Sequence, residues 1–302
     1  MILMFMGRIV EAREALERAG EMFNASSEAD RMGARAAGQD AGVSILVLMA
    51  WVFWILGQVD EAVSRMAAAL ERADAVQHAH THAYAWYYAS VLHALRGEPA
   101  IAQGYAERCL NISEQHGFRH WLGLSRAIRD ICAAMLDASV RRLDEVKTSL
   151  EEYQRAGYQL GLTVQFVLLC PLLLLRNEPE AALETIEQGL AMATRHSERL
   201  FEAELYRLKA RTLLLCGAPN AEVECLFDQA LLMARGQLAR SLELRAATDL
   251  ARLWMNHGKH AEALNVLSPV YDRFTEGFGT PDLKEAEALL AELRRKLLRP
   301  GS

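Results

Sequence analysis

The chain has 302 residues, 52% of them hydrophobic, and a net charge of −6. It is long enough to bury a large core, and its negative balance excludes a global attraction to nucleic acid or to an anionic membrane. Leu, Ala, Glu and Arg dominate and there are only seven Pro, a composition that favours helices.

At the start, Met1 to Met6 lacks a basic stretch and a long apolar run, so no signal peptide is expected. Ile9, Ala12, Leu16 and Ala19 read as the second helix of a hairpin whose first helix is cut down to Met1–Met6. Ile9, Leu16 and the facing side of the next hairpin would then lack full cover, which predicts a homodimer through the N-terminal end. Residues 24–38, with Ser26, Ser27 and Gly33, read as a loop or short helix.

From there the chain repeats. Six times an apolar helical stretch runs into a turn and then into an amphipathic stretch centred on a small residue. The turns sit at Gly57, Gly97, Arg141, Asn177, Gly217 and Gly258, in steps of 40, 44, 36, 40 and 41 residues. A fixed period of that size built from helix pairs is the signature of an α-solenoid. Small residues recur at one position of each first helix: Ala50, Ser90, Ala134, Cys170, Ala210 and Ala251. Small residues there let paired backbones approach, with Met66, Ala106, Leu150, Ile186, Phe227 and Leu267 filling the groove. The spacing predicts hairpins over 40–75, 79–116, 119–157, 159–196, 198–236 and 239–274.

The fold expected is all-α: an α-α superhelix of about six helical hairpins plus a C-terminal capping helix. It forms a single unit, with a truncated repeat and loop over 1–38, the hairpins over 39–278, the cap over 279–299 and a tail at 300–302. Thr280-Pro281-Asp282 opens the cap with an N-cap, a proline at the first helical position and an acid in the first turn. The apolar runs from Val43 to Leu56 and from Val164 to Leu175 are shorter than the ~20 residues a bilayer requires and read as buried helices, so no membrane is expected. Cys109, Cys132, Cys170, Cys216 and Cys225 form no C-x-x-C and read as packed, reduced thiols of a cytoplasmic protein.

First helices line the concave face of such solenoids. The groove-binding candidates are Trp51, Trp54, Tyr84 and Tyr87, beside Val47, and then Arg207, Arg211, Arg245 and Arg252, beside Glu204. An aromatic patch next to an arginine patch suits a peptide with apolar anchors and acidic groups. The alternative is that the aromatics are inter-helix core and the arginines pair with Glu202, Glu204 and Glu243. His78 and His82 are four apart and could share a helix face, but nothing nearby completes a metal site, and they read as an inter-repeat turn. No isolated carboxylate pair suggests acid–base catalysis, so no catalytic residue, metal or cofactor is expected.

More specific stretches are Gly38-Gln39-Asp40, His116-Gly117-Phe118-Arg119-His120-Trp121-Leu122 and Phe201-Glu202-Ala203-Glu204-Leu205-Tyr206-Arg207-Leu208-Lys209. Others are Ser241-Leu242-Glu243-Leu244-Arg245-Ala246-Ala247, Phe274-Thr275-Glu276-Gly277-Phe278 and Thr280-Pro281-Asp282-Leu283-Lys284-Glu285-Ala286. With the repeats, they resemble long-period, MalT-like tetratricopeptide repeats. They resemble in particular the C-terminal region of bacterial signalling proteins that carry a class III nucleotide cyclase or a DNA-binding domain followed by a STAND-type ATPase. No G-x-x-x-x-G-K-[ST] loop or paired metal-binding Asp is present. The resemblance therefore implies a sensor or interaction arm, with an upstream cyclase/ATPase module as a possible partner, and no cyclase or ATPase activity in this chain. The expected function is a non-catalytic protein–protein interaction or regulatory module that binds a protein or peptide in its concave groove. The alternative is a small-ligand sensor arm of a STAND-type signalling ATPase or transcription regulator.

Overall fold

The computed structural model describes residues 1–36, 38–137, 142–155, 157 and 161–298, with the side chains of 34–36 and 142 left aside. The expected turn at Arg141 and the tail at 300–302 lie outside them. Among the described residues there are sixteen α-helices and no strand, arranged as an all-α superhelix.

A short α1 (Ile2–Phe5) pairs with α2 (Ile9–Ala25), and α3 (Glu28–Ala36) follows. The pairs are then α4 (Ala41–Ile55) with α5 (Val59–Val76), α6 (Ala79–Leu95) with α7 (Pro99–His116), and α8 (Arg119–Leu136) with α9 (Arg142–Arg155). They continue as α10 (Leu162–Leu175) with α11 (Pro179–His196), α12 (Glu202–Leu215) with α13 (Asn220–Gly236), and α14 (Arg240–Asn256) with α15 (His260–Tyr271). The single helix α16 (Pro281–Leu298) comes last.

The two kinds of helix differ for a physical reason. First helices such as α4 and α10 are apolar all round because neighbours cover them on several sides. Second helices such as α5 and α11 bury one narrow stripe, Ala62, Met66, Ala69 and Ala73 in α5, and expose the rest. The Asp40 carboxylate caps α4 by accepting from Val43 N at 2.9 Å, and prolines open α7 and α11 where no amide partner is needed. Ala50, Ser90, Ala134, Cys170, Ala210 and Ala251 are all buried, at the positions where a larger side chain would force paired helices apart.

The superhelix closes on itself. First helices α4 and α14, far apart in sequence, touch. Leu200 N donates to Phe5 O at 3.1 Å, the Ser241 hydroxyl donates to Trp54 O, and the Arg245 guanidinium donates to Leu95 O. Glu276 accepts from the amides of Asp60 and Glu61 at 3.0 and 3.2 Å, and Asp60 accepts from Gly277 N at 3.0 Å. Glu276 thereby caps α5, whose own Gln58 makes no capping bond. The returning pass sits so close that a Cβ on Gly57 would lie 2.9 Å from Phe274, and one on Gly97 the same distance from Pro281.

Two expectations are corrected here. Ile9 and Leu16 are buried, as is Met4, because α2 packs on α4 and α1 docks against residues 196–201. The two residues that argued for a homodimer there are covered, and the apolar residues exposed at that end are instead Met1, Ile2, Met6 and Val10. Cys216 and Cys225 are exposed rather than packed, since they lie at a turn and on an outer helix face. Cys109, Cys132 and Cys170 are buried, and burial pushes their thiols up to about 11, 12 and 12. No helix among the described residues is long and apolar enough to cross a membrane.

Ala251 has no exposed surface and faces the partner helix, so Ala251→Leu is expected to lower stability by about 1–3 kcal/mol. Chemical denaturation checks this; an unchanged midpoint would show that α14 and α15 do not pack through this residue.

Candidate functional site: a central ion-pair cleft and an outer groove

First helices of five hairpins, with the start of α16, converge on a cleft of about 190 Å³ along the superhelix axis. Its apolar wall comes from Ala94, Leu95, Val167, Leu168 and Pro171, and its polar wall from α12, α14 and α16. Arg207 grips Glu204 with two bonds, at 2.8 and 2.7 Å, and donates to Asp249 as well. Arg245 donates to Asp282 at 2.8 Å, to Glu204 at 3.2 Å and to Leu95 O, and lies over the Trp54 ring at 5.4 Å. Towards the mouth, Arg252 pairs with Glu285 at 2.7 Å, and Arg211 comes within 3.9 Å of Asp249. Four arginines thus face four carboxylates.

Burial alone would push the Glu204 carboxyl up, but Arg207 and Arg245 outweigh it and hold it down at about 2. The network is neutral, and its inner half is buried. Its chemistry fastens α12, α14 and α16 to the end of α6; it does not present free positive charge.

This corrects the groove as expected from the sequence. Val47, Trp51, Trp54, Tyr84 and Tyr87 are core residues, as the alternative reading held. Trp51 donates from Nε1 to Tyr88 O at 3.2 Å and meets the Tyr88 ring edge-on at 5.2 Å; Tyr84 and Tyr87 pack around Trp121. The superhelix is wound so tightly that first-helix aromatics meet their neighbours rather than an open channel. Of the arginines, Arg207 is buried, Arg245 is partly buried, and Arg211 and Arg252 are the most exposed. Glu204 is the expected partner, whereas Glu243 is taken by Arg235 and Arg273. The sequence reading missed Asp249 and Asp282. Asp249 carried a local signal, lying four residues after Arg245 and three before Arg252 on one helix face. His78 turns to Thr81 and His82 to Asp74, and no group of three or more His, Cys, Asp or Glu among the described residues could hold a metal ion.

A second concavity was not foreseen. On the outer side, α2 and α5 leave a groove of about 520 Å³ over α4. Leu16, Phe23, Ile45, Leu46, Met49 and Phe53 give it an apolar floor. Guanidiniums lie on its rings: Arg13 and Arg65 over Phe53, at 5.5 and 5.8 Å, and Arg72 over Phe23, at 4.6 Å. Arg72 also holds the capping carboxylate of Asp40 at 2.6 Å. Gly42 makes room for this, since a Cβ there would stand 2.7 Å from the Phe23 ring.

No family model and no curated protein matches the chain. Among solved structures it is similar to the TPR2AB-domain:pHSP90-complex of yeast Sti1, at 13% identity and a TM-score of 0.32, over 83% of this chain and 98% of that one.

Glu204→Ala leaves the buried Arg207 and the partly buried Arg245 short of a counter-charge and is expected to cost about 3–5 kcal/mol, measured by denaturant unfolding. The pH dependence follows from the lowered carboxyl. Its contribution is complete above about pH 4.5, the ordinary value, and is lost as pH falls towards about 2. Between those limits Glu204→Gln should lose less stability with acid than the parent chain; parallel pH profiles would show that this carboxylate is not held by the arginines.

Proposed function

We propose that this chain is a non-catalytic protein-interaction module whose partner enters the outer groove between α2 and α5 rather than the central cleft. The observation that carries the reading is the contrast between the two concavities. The cleft is small, and its arginines are neutralised within the chain. The groove has the volume and apolar floor of a side-chain receptor, within the roughly 300–1,000 Å³ of typical ligand pockets. Its arginines lie over the aromatic rings and are paired within the chain, Arg13 with Glu17, Arg65 with Glu61 and Arg72 with Asp40, and the Arg13 and Arg65 pairs stand exposed at the rim. A peptide with two or three apolar anchors has the matching chemistry, with polar flanks that meet the ion pairs at the rim. The absence of a phosphate loop in the sequence supports a non-enzymatic role, and the resemblance to cyclase–ATPase signalling proteins supports a bacterial signalling arm.

A second reading, a small-ligand sensor, is favoured by one feature of the cleft. Arg245 joins its wall to Leu95 across the closure, so a charged ligand competing for Arg245 would loosen the superhelix.

Gly20 lies in the groove, where an added Cβ meets only a methyl of Ile45 at 3.9 Å. Gly20→Trp should fill the groove without disturbing the core. Peptides selected on the parent chain by display should lose affinity at least tenfold for Gly20→Trp and keep it for Arg211→Glu, as read by fluorescence anisotropy. The reverse pattern would move the site to the central cleft.

A further inference from the structure

The closure follows a register, and the register leaves part of one edge bare. At each described turn from a first to a second helix, one residue adopts a left-handed conformation: Gly7, Gly57, Gly97, Asn177, Gly217 and Gly258. Two residues earlier stand Phe5, Ile55, Leu95, Leu175, Leu215 and Asn256. Phe5, Ile55 and Leu95 are 8%, 0% and 2% exposed, because the returning pass lies on them. That pass consists of the starts of first helices: residues 197–201 before α12, Gln237 to Ser241 before and into α14, and Gly277 to Leu283 before and into α16. Leu175 and Leu215 occupy the same register but are 82% and 67% exposed. Leu214 beside Leu215, and Leu136 at the end of α8, are exposed as well. A Cβ on Gly57 or Gly97 would meet the returning pass at 2.9 Å; on Gly217 it would meet nothing within 4 Å. The sixth position is polar Asn256, so the apolar edge stops there.

The opposite edge shows the same division. The starts of α12, α14 and α16 are covered by the turns they dock on, with Phe201, the residue that opens α12, 6.2 Å from Trp51. The starts of α6 and α8 are covered only by their own neighbours: Thr81 is buried and the His80 ring meets Phe118 and Trp121. Gln77 and Gly117 are exposed, a Cβ on Gly117 would meet nothing within 4 Å, and Phe118, which opens α8 as Phe201 opens α12, is only partly buried.

We propose that the edge formed by Leu175, Leu214 and Leu215 docks a second copy of this chain, which presents the open starts of its α6 and α8. At Gly217 the contact would repeat, between molecules, the stacking that closes the superhelix within one, and at the neighbouring turn it would pack beside the Asn177 side chain. Turn edge and start edge are different surfaces, so the interface is head-to-tail and can add further copies. It is separate from the outer groove assigned to a peptide, and Gly20→Trp should leave it intact.

Sedimentation velocity over a wide range of concentration is the test. The parent chain should grow past a dimer as concentration rises, and Leu175→Glu/Leu215→Glu should remain a monomer. Both substitutions are at exposed sites, so the circular dichroism and melting midpoint should be unchanged. The double variant keeps its start edge. An excess of it should therefore cap parent chains and shorten the assemblies to pairs containing one chain of each kind. As a second readout, amides 172–178 and 212–218 of the parent should exchange more slowly at high concentration. A monomer at every concentration, growth indifferent to the two substitutions, or exclusion of the variant from parent assemblies would each overturn the proposal.

Discussion

Everything else in the molecule depends on the close approach of its two ends. The residues that start α14 and α16 fit onto the turns at Gly57 and Gly97, where the absence of a side chain leaves room for Phe274, Arg240 and Pro281. Each such glycine has a positive φ, so one residue type serves two requirements: it reverses the chain and admits a neighbour. The polar contacts then fall into place. Helix ends with spare carbonyls or amides receive partners from the opposite end of the chain, as when Glu276 takes over the start of α5.

That closure redistributes the roles of the charged and aromatic residues. In an open superhelix, Trp54 and Arg245 would face a channel. Here they face each other, and the arginines that would attract an acidic peptide are matched within the chain by Glu204, Asp249, Asp282 and Glu285. What is left for recognition lies outside the ring. The groove over α4 owes its existence to α2 and α5 standing apart, and to Gly42, which brings Phe23 and Arg72 close over the helix.

The all-helical superhelix was legible in the sequence because its signals are local and recur. The period, the turn residues and the small positions from Ala50 to Ala251 all lie within single hairpins. The site was far less legible. Trp51 and Tyr87 carry the same sequence pattern whether they line a channel or pack against the next helix, and only the tightness of winding decides. The pairing of Arg245 with Asp282 and Leu95 depends on the same quantity. Small rotations at each hairpin junction add up to it, and no single repeat encodes it. Ile9 and Leu16 were misjudged for a similar reason: their cover comes partly from a helix of four residues and a junction almost two hundred residues away.

The bonds across the closure also alter how such a chain can lose its structure. A solenoid of stacked hairpins makes contacts only with its neighbours, so it can fray from either end, one unit at a time. Here Trp54 is tied to Ser241 across 187 residues and Asp60 to Glu276 across 216. The outermost hairpins, ordinarily the first to melt, hold one another in place. Long loops must be closed before those bonds can form, which slows folding and places ring closure among its last steps.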